Sequence, residues 1–378
     1  MKKKHILFLI LVLLLPKGVG ETSISAQYAC VMEAQTGQVL YEKNAYSRHS
    51  MASTTKIMTA LVAIEEGNLN DLVTVSKNAA GTEGTSLYLK AGDEVLLSDL
   101  LYGLMLQSGN DAAIAIAEHI CGSVEAFAEK MTQRAKAIGA ENTAFQNPNG
   151  LDADGHYTTA YDLALITRAA LKNETFAEIC ATKSKAIRSG TQTIVNHNKL
   201  LANYPGCVGV KTGFTKKTGR CLVSSAVRDG RQIICVTLHA PNDWNDHTIL
   251  LNQAFDSTLR YPLLAKGMTV NTISVSDGTS SSVEVAAEED FYLTERKNTK
   301  FQNASIRLRL PRTLSAPISK GEVLGVAEIY YQDELLSTIN LSAAADVFLE
   351  ESSPTSDFCN FFKKLLYFSC AGPKSVIE

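Results

Sequence analysis

From Leu96 to Ile120 the chain is almost wholly apolar, and a run of that kind must be buried, either in a protein core or in a bilayer. Ser108-Gly109-Asn110 interrupts it and Asp111 follows, so neither half approaches the ~20 apolar residues needed to cross a membrane. The pattern predicts two buried helices. Leu97, Leu100, Leu101, Leu104 and Met105 belong to the first, Ile114 and Ile116 to the second, with Asp111 placed to cap the second. Helical spacing continues over 124–138 and 161–171, and an earlier helix is expected from Ser53 to Gly67, where Ile57, Leu61 and Ile64 recur on one side. A helical subdomain therefore fills the middle of the chain.

Strand character flanks it on both sides. Two short strands are expected over 27–41 around the turn Gln35-Thr36-Gly37, another over Val208 to Phe214, and a hairpin of Cys221 to Val227 and Arg231 to Leu238 joined at Asp229-Gly230. A helix over 250–259 should close this region. Beyond Tyr261-Pro262 the composition changes to short β-type runs with polar turns, at 270–275, 282–285, 306–310, 324–331 and 335–339. The fold class expected is α+β, with a mixed domain over 27–261 and a small all-β domain over 264–349.

The ends read differently from the middle. Lys2, Lys3 and Lys4 precede an apolar run from Ile6 to Leu15, followed by Pro16 and the small residues Gly18 and Gly20. This is the pattern of an export signal, assigned to 1–20 with cleavage between about 20 and 26. A net charge of −3 offers no general attraction to polyanions, so nucleic acid is not expected as a partner. Eight cysteines in an exported chain raise the question of disulfides, at Cys30, Cys121, Cys180, Cys207, Cys221, Cys235, Cys359 and Cys370, although most are expected to be small core residues. No CxxC or HExxH occurs and the histidines are scattered, so neither a metal site nor any other cofactor is expected.

Three short polar motifs carry the chemistry. In Ser53-Thr54-Thr55-Lys56 the serine and lysine are three apart on a helix, which puts the amine within reach of the hydroxyl. The small neighbours Ala52, Thr59, Ala60 and Ala63 would let other elements close over Lys56, and burial near a second cation would make it a proton acceptor near neutral pH. A helix N-terminus would also aim free N–H groups at whatever bonds to Ser53. Ser108 and Asn110, two apart on the loop that breaks the apolar pair, are expected to face a cleft, the hydroxyl relaying protons and the amide holding substrate backbone. Lys211-Thr212-Gly213 lies in a strand. Lys211 would supply positive potential, Thr212 a hydroxyl for a carboxylate, and Gly213 a bare edge along which an extended peptide could pair. The N–H of Phe214 would join that of Ser53 as an oxyanion hole.

In this order and spacing the three motifs form the set used by serine β-lactamases and penicillin-binding proteins. The sequence resembles the low-molecular-mass D-alanyl-D-alanine carboxypeptidases of peptidase family S11, in which the middle triplet is Ser-Gly-Asn, as at Ser108 to Asn110 here. Met51 to Thr59, Asn147 to Asp152, Asn198 to Leu201 and Val210 to Thr215 are also similar to that family, over about Ala26 to Tyr261. The resemblance implies a β-lactamase/D,D-peptidase-like domain, a helical subdomain packed on an antiparallel sheet with the cleft between. It also implies an acyl-enzyme on Ser53, peptidoglycan stem peptides as substrates and β-lactam antibiotics as covalent inhibitors.

Family members use an arginine after the hairpin to bind the substrate carboxylate. Here Ala240 to His247 contains none, and His247 is the only substitute the segment suggests. His197 and His239 read as structural, and Asn149-Gly150 as a turn. A β-lactamase would need a carboxylate holding a water near Asn147 to Asp152, where none stands out. A catalytically silent wall-binding or antibiotic-sensing protein is the remaining alternative, and the intact serine-lysine pair argues against it. Residues 350–378 read as a spacer and an amphipathic segment, Phe358 to Phe368, that would lie on the outer face of the bacterial cytoplasmic membrane.

Overall fold

The computed structural model describes residues 23–297, 301 and 303–351, arranged in two compact units divided between Thr258 and Leu259. The expected export signal and the Phe358 to Phe368 segment, with Cys359 and Cys370, lie outside the described residues.

In the first unit the elements run β1 (Tyr28–Glu33), β2 (Val39–Lys43), α1 (Lys56–Glu66), β3 (Leu72–Thr74), α2 (Lys77–Ala80), β4 (Glu94–Leu96), α3 (Leu97–Tyr102) and α4 (Asn110–Cys121). Next come α5 (Val124–Ile138), α6 (Ala160–Leu171), α7 (Glu174–Ala181), β5 (Ser184–Ile187), β6 (Gln192–Val195) and α8 (Leu200–Asn203). The unit closes with β7 (Cys207–Thr215), β8 (Gly219–Arg228), β9 (Arg231–Leu238) and α9 (Asp243–Ser257). Five strands form one antiparallel sheet in the order β2-β1-β9-β8-β7. The β8–β9 turn is made by Asp229 at φ 51° and Gly230 at φ 72°, the pair of positive φ values that a tight hairpin twist demands.

The period of two along these strands divides the core. Cys30, Met32, Val223, Ile234 and Val236 pack with the helices from α1 to α7, whereas Ala29, Val31, Leu222, Ile233 and Cys235 pack with Leu250, Leu251, Ala254 and Phe255 of α9. The sheet is thus covered on both faces. This arrangement fixes which way each β7 side chain points: Lys211 and Gly213 pair with Val223 and Cys221 on the α1 side, Thr212 and Phe214 with Leu222 and Arg220 on the α9 side.

Several local expectations change. Ser53 lies not in the helix proper but on a tight 3-10 turn, Ala52–Thr55, that feeds α1, with Ala52 at φ 48°. Asp111 does not cap α4. Its carboxylate instead receives Leu87 N, Leu89 N and Ser86 Oγ, and so ties the 84–89 loop against the helix. The apolar stretch before Ser108 ends in a wider π turn, Gly103–Gln107, rather than in one continuous α-helix. α9 begins at Asp243, well before the expected 250, because its first buried positions are Asp243, Asp246 and His247, and polar residues on the inner stripe hide a helix from apolar periodicity. Asp246 is buried there because it receives Ser25 N, Ser25 Oγ and Ala26 N from the start of the described chain. The six cysteines among the described residues are all free, with Cys30, Cys180, Cys221 and Cys235 buried.

The second unit is all-β: β10 (Thr258–Leu264), β11 (Thr269–Ser276), β12 (Ser282–Ala287), β13 (Phe291–Arg296), β14 (Ala304–Arg309), β15 (Thr313–Ser315), β16 (Val323–Tyr331) and β17 (Glu334–Ala343). β10 pairs with β13, and the others form a sheet in the order β14-β16-β17-β12-β11-β15. Alternate residues Val283, Val285, Ala287, Ile339, Leu341 and Ala343 fill its core.

Candidate active site

Lys56 is the first residue of α1 and is fully buried, one turn beyond Ser53. Its amine donates to Ser53 Oγ at 3.0 Å and Asn110 Oδ1 at 2.7 Å, and also to the carbonyl of Asn149. Among the described residues no carboxylate pairs with it. Burial, and next the charge of Lys211, hold its pKa well below the usual lysine range, with Asp111 opposing the shift. An amine with a lowered pKa, 3.0 Å from a serine hydroxyl, can accept that hydroxyl's proton once it has lost its own.

The turn that carries Ser53 is fixed from two sides. Thr54 bonds back to Met51 O through its N–H at 3.2 Å and its hydroxyl at 2.6 Å. Beneath it, the loop from Asn147 to Asp152 supplies Asn149 O to Lys56 and Pro148 O to Thr59 Oγ1. Gly150 at φ +88° packs so closely that a Cβ there would stand 2.1 Å from Ala52 O. His156 meets Thr55 Oγ1 at 2.8 Å through Nε2 and accepts Gln146 N at Nδ1, which fixes Nε2 as the protonated nitrogen. Asn149-Gly150 is thus more than a turn. A backbone carbonyl on the lysine leaves no trace in residue type, which is why the sequence alone missed it.

Lys211 is buried on β7, the edge strand of the sheet, and donates to Thr212 O at 2.9 Å. Burial brings its pKa down to about 7. Gly213 has a second reason to be glycine besides leaving the edge bare: a Cβ would lie 3.1 Å from both Ser53 N and Thr54 N, so its absence lets β7 close on the serine turn. Thr212 and Phe214 both line the cleft, Phe214 with 62% of its surface exposed.

Ser108 and Asn110 part company. Ser108, left-handed at φ 66°, lines the cleft with Ser53. Asn110 is buried and does not line it, because its oxygen receives Lys56 Nζ and its nitrogen donates to Glu83 O at 2.7 Å. The expectation that both face the cleft therefore holds only for the serine.

The cleft occupies about 800 Å³ and adds residues that motif reading passed over, among them Thr85, His197, Lys199, Arg220 and Trp244. His197, read as structural, is one of its walls. His239 instead meets Thr218 O at 3.0 Å. His247 is not a cleft residue at all: it is fully buried between Ser224 Oγ and Thr237 Oγ1, and burial takes its pKa to about 3. It cannot stand in for a carboxylate-binding arginine. Asp152, the carboxylate in the loop below Ser53, is engaged by Thr215 Oγ1 and Thr218 Oγ1, both at 2.9 Å. Among the described residues no cluster of three His, Cys, Asp or Glu side chains could hold a metal ion.

Comparison with known proteins agrees with this geometry. The family described as D-alanyl-D-alanine carboxypeptidase, Peptidase_S11, matches residues 16–242, and the penicillin-binding protein 5 C-terminal domain matches residues 260–348. The D-alanyl-D-alanine carboxypeptidase DacF of Bacillus subtilis is 34% identical over 93% of this chain and 91% of its own, and DacC of Escherichia coli is 36% identical over 82% and 81%. Among solved structures, penicillin binding protein 5 from Haemophilus influenzae is 28% identical at a TM-score of 0.63, covering 88% of this chain and 100% of that one. PBP3 from Streptococcus pneumoniae, a peptidoglycan synthesis regulatory factor, is 26% identical at a TM-score of 0.72, covering 87% and 100%. Matched by family over residues 16–242 and by a 34% identical relative over 93% of its length, with Ser53 and the Lys211-Thr212-Gly213 edge strand brought together in the structure, the chain is a member of the D-alanyl-D-alanine carboxypeptidase family, peptidase S11.

Proposed function

We propose that this chain removes the terminal D-alanine from peptidoglycan stem peptides ending in D-Ala-D-Ala, through an acyl-enzyme on Ser53. The observation that carries the reading is the buried Lys56 amine, 3.0 Å from the Ser53 hydroxyl with no carboxylate partner among the described residues. Lys56 takes the proton as Ser53 Oγ attacks the carbonyl between the two D-alanines. The N–H groups of Ser53 and Phe214 receive the oxygen that becomes negative. Ser108 relays the proton to the departing nitrogen, so D-alanine leaves as an amine. Water then attacks the ester, Lys56 accepts its proton, and the Ser53 hydroxyl is restored.

Asn110 and Asn149 O serve the lysine: as acceptors they aim its donors and leave the lone pair to the serine. Thr212 would offer its hydroxyl to the substrate carboxylate while the buried Lys211 adds positive potential from behind, and the β7 edge offers strand-like pairing to the peptide. β-lactam antibiotics, which mimic the D-Ala-D-Ala shape, would acylate the same serine. Catalysis is assigned to 27–261, followed by the β-domain over 264–349.

Export through residues 1–20 would deliver the enzyme to the outer face of the cytoplasmic membrane, where its substrate is. Phe358, Phe361, Phe362, Leu365 and Phe368 would hold it there. In helical register they share one side, with Asn360, Lys363 and Lys364 mostly on the other.

Steady-state assay on a pentapeptide tests the reading. Continuous release of free D-alanine is expected. A single stoichiometric turnover would indicate a sensing protein instead, and steady hydrolysis of penicillin a β-lactamase.

A further inference from the structure

A carboxypeptidase must tell a free carboxylate from the amide that continues a chain. Lys211 is a weak anchor for that purpose, because its amine is already bonded to Thr212 O and burial lowers its pKa to about 7. Lys199 lines the cleft as an exposed ammonium on a flexible stem. Arg220 is placed differently. It stands directly opposite Phe214 in the β7–β8 register, so it shares a face with Phe214 and Thr212, and all three line the cleft.

Asp243 fixes its position. That carboxylate is buried in the first turn of α9, where Oδ1 receives Trp244 N at 3.0 Å and Oδ2 lies 3.0 Å from Arg220 Nη2. Trp244, also in the cleft wall, puts its ring 5.8 Å from the guanidinium carbon. One corner of the fork is thereby gripped, while 41% of the side chain remains exposed.

We propose that Arg220, held by Asp243, receives the terminal carboxylate of the substrate beside Thr212, and that this pair sets the preference for a free C-terminus. The inference rests on the carboxypeptidase reading above. A planar guanidinium can meet a carboxylate with two parallel N–H donors. Anchoring it beforehand lowers the ordering cost when the peptide arrives. Asp243 does not repel the incoming anion strongly, because its charge is matched by the Arg220 corner it holds and by the α9 N-terminus.

The test is kcat/KM on a matched pair, an N-acyl-D-Ala-D-Ala acid and its C-terminal amide, for the full chain and for Arg220→Gln, Arg220→Lys and Asp243→Asn, with thermal midpoints measured alongside. In Arg220→Gln the acid-to-amide ratio should fall roughly 10- to 100-fold, the scale of losing charge-assisted hydrogen bonds, chiefly through KM for the acid. Arg220→Lys should recover part of that ratio, and Asp243→Asn should fall between wild type and Arg220→Gln. An unchanged ratio, or equal loss on both peptides, overturns the proposal. Failure of the unaltered enzyme to release D-alanine from the acid would instead contradict the carboxypeptidase reading itself.

Discussion

Lys56 Nζ lies 3.0 Å from Ser53 Oγ and 2.7 Å from Asn110 Oδ1, so the amine proposed to take the serine's proton is positioned by an amide oxygen rather than paired with a carboxylate. An aspartate at position 110 would hold the lysine just as firmly and keep it charged. With asparagine there, burial and the charge of Lys211 are free to hold the lysine's pKa down.

Replacing Lys56 with Met keeps most of the stem and removes the amine. Acylation by penicillin should slow by ~10²-fold or more, the usual scale for losing a general base, while the thermal transition remains cooperative. Stopped acylation kinetics and a melting curve on the same sample check both. Because burial and Lys211 lower the Lys56 pKa, acylation by the unaltered enzyme should rise with pH as the amine loses its proton and level off above that point.

Gly150→Ala tests the loop that packs on the Ser53 turn. Its φ of +88° and a Cβ 2.1 Å from Ala52 O leave no room for a methyl group, so the Ser53 turn must move. A loss of about 2 kcal/mol or more is expected for such strain and overlap. Acylation of Ser53 should slow as well. A variant that melts and acylates like wild type would show that the loop does not support the turn.

How much of this was legible in the sequence depends on what each residue leaves visible. α1, α5, α6, the β8–β9 hairpin and the three motifs declared themselves through apolar spacing, turn chemistry and polar triplets. The start of α9 did not, because Asp243, Asp246 and His247 occupy its buried stripe. Neither did Asn149 O or Arg220, whose places in the site depend on a loop carbonyl and on strand register rather than on residue type. The lost capping role of Asp111 has the same origin, since its partners Ser86, Leu87 and Leu89 come from a distant loop.

Acid should destabilise the first unit through two histidines. Burial lowers His156 to about 4 and His247 to about 3, against about 6.5 in an unfolded chain. Folding therefore favours the neutral rings. Their contribution is complete above pH ~6.5 and is lost as pH falls toward the folded values, where the unfolded chain binds more protons. Thermal midpoints measured from pH 7 to 4 should fall steadily, and His247→Asn should flatten the slope. A midpoint independent of pH over that range contradicts the account.

The C-terminal segment should bind anionic lipid. Protein lacking the export signal is expected to sediment with anionic vesicles, less so at high salt, because Lys363 and Lys364 add an electrostatic part. Deleting 352–378 should abolish sedimentation and leave D-alanine release intact. Equal sedimentation of both forms would place the membrane contact elsewhere.

The central claim is that the chemistry runs through a covalent bond to one serine. Mass spectrometry of the protein after reaction with benzylpenicillin tests it most directly. One adduct is predicted, on the peptide containing Ser53, and none in Ser53→Ala. An adduct on any other residue, or undiminished labelling of Ser53→Ala, would contradict the mechanism.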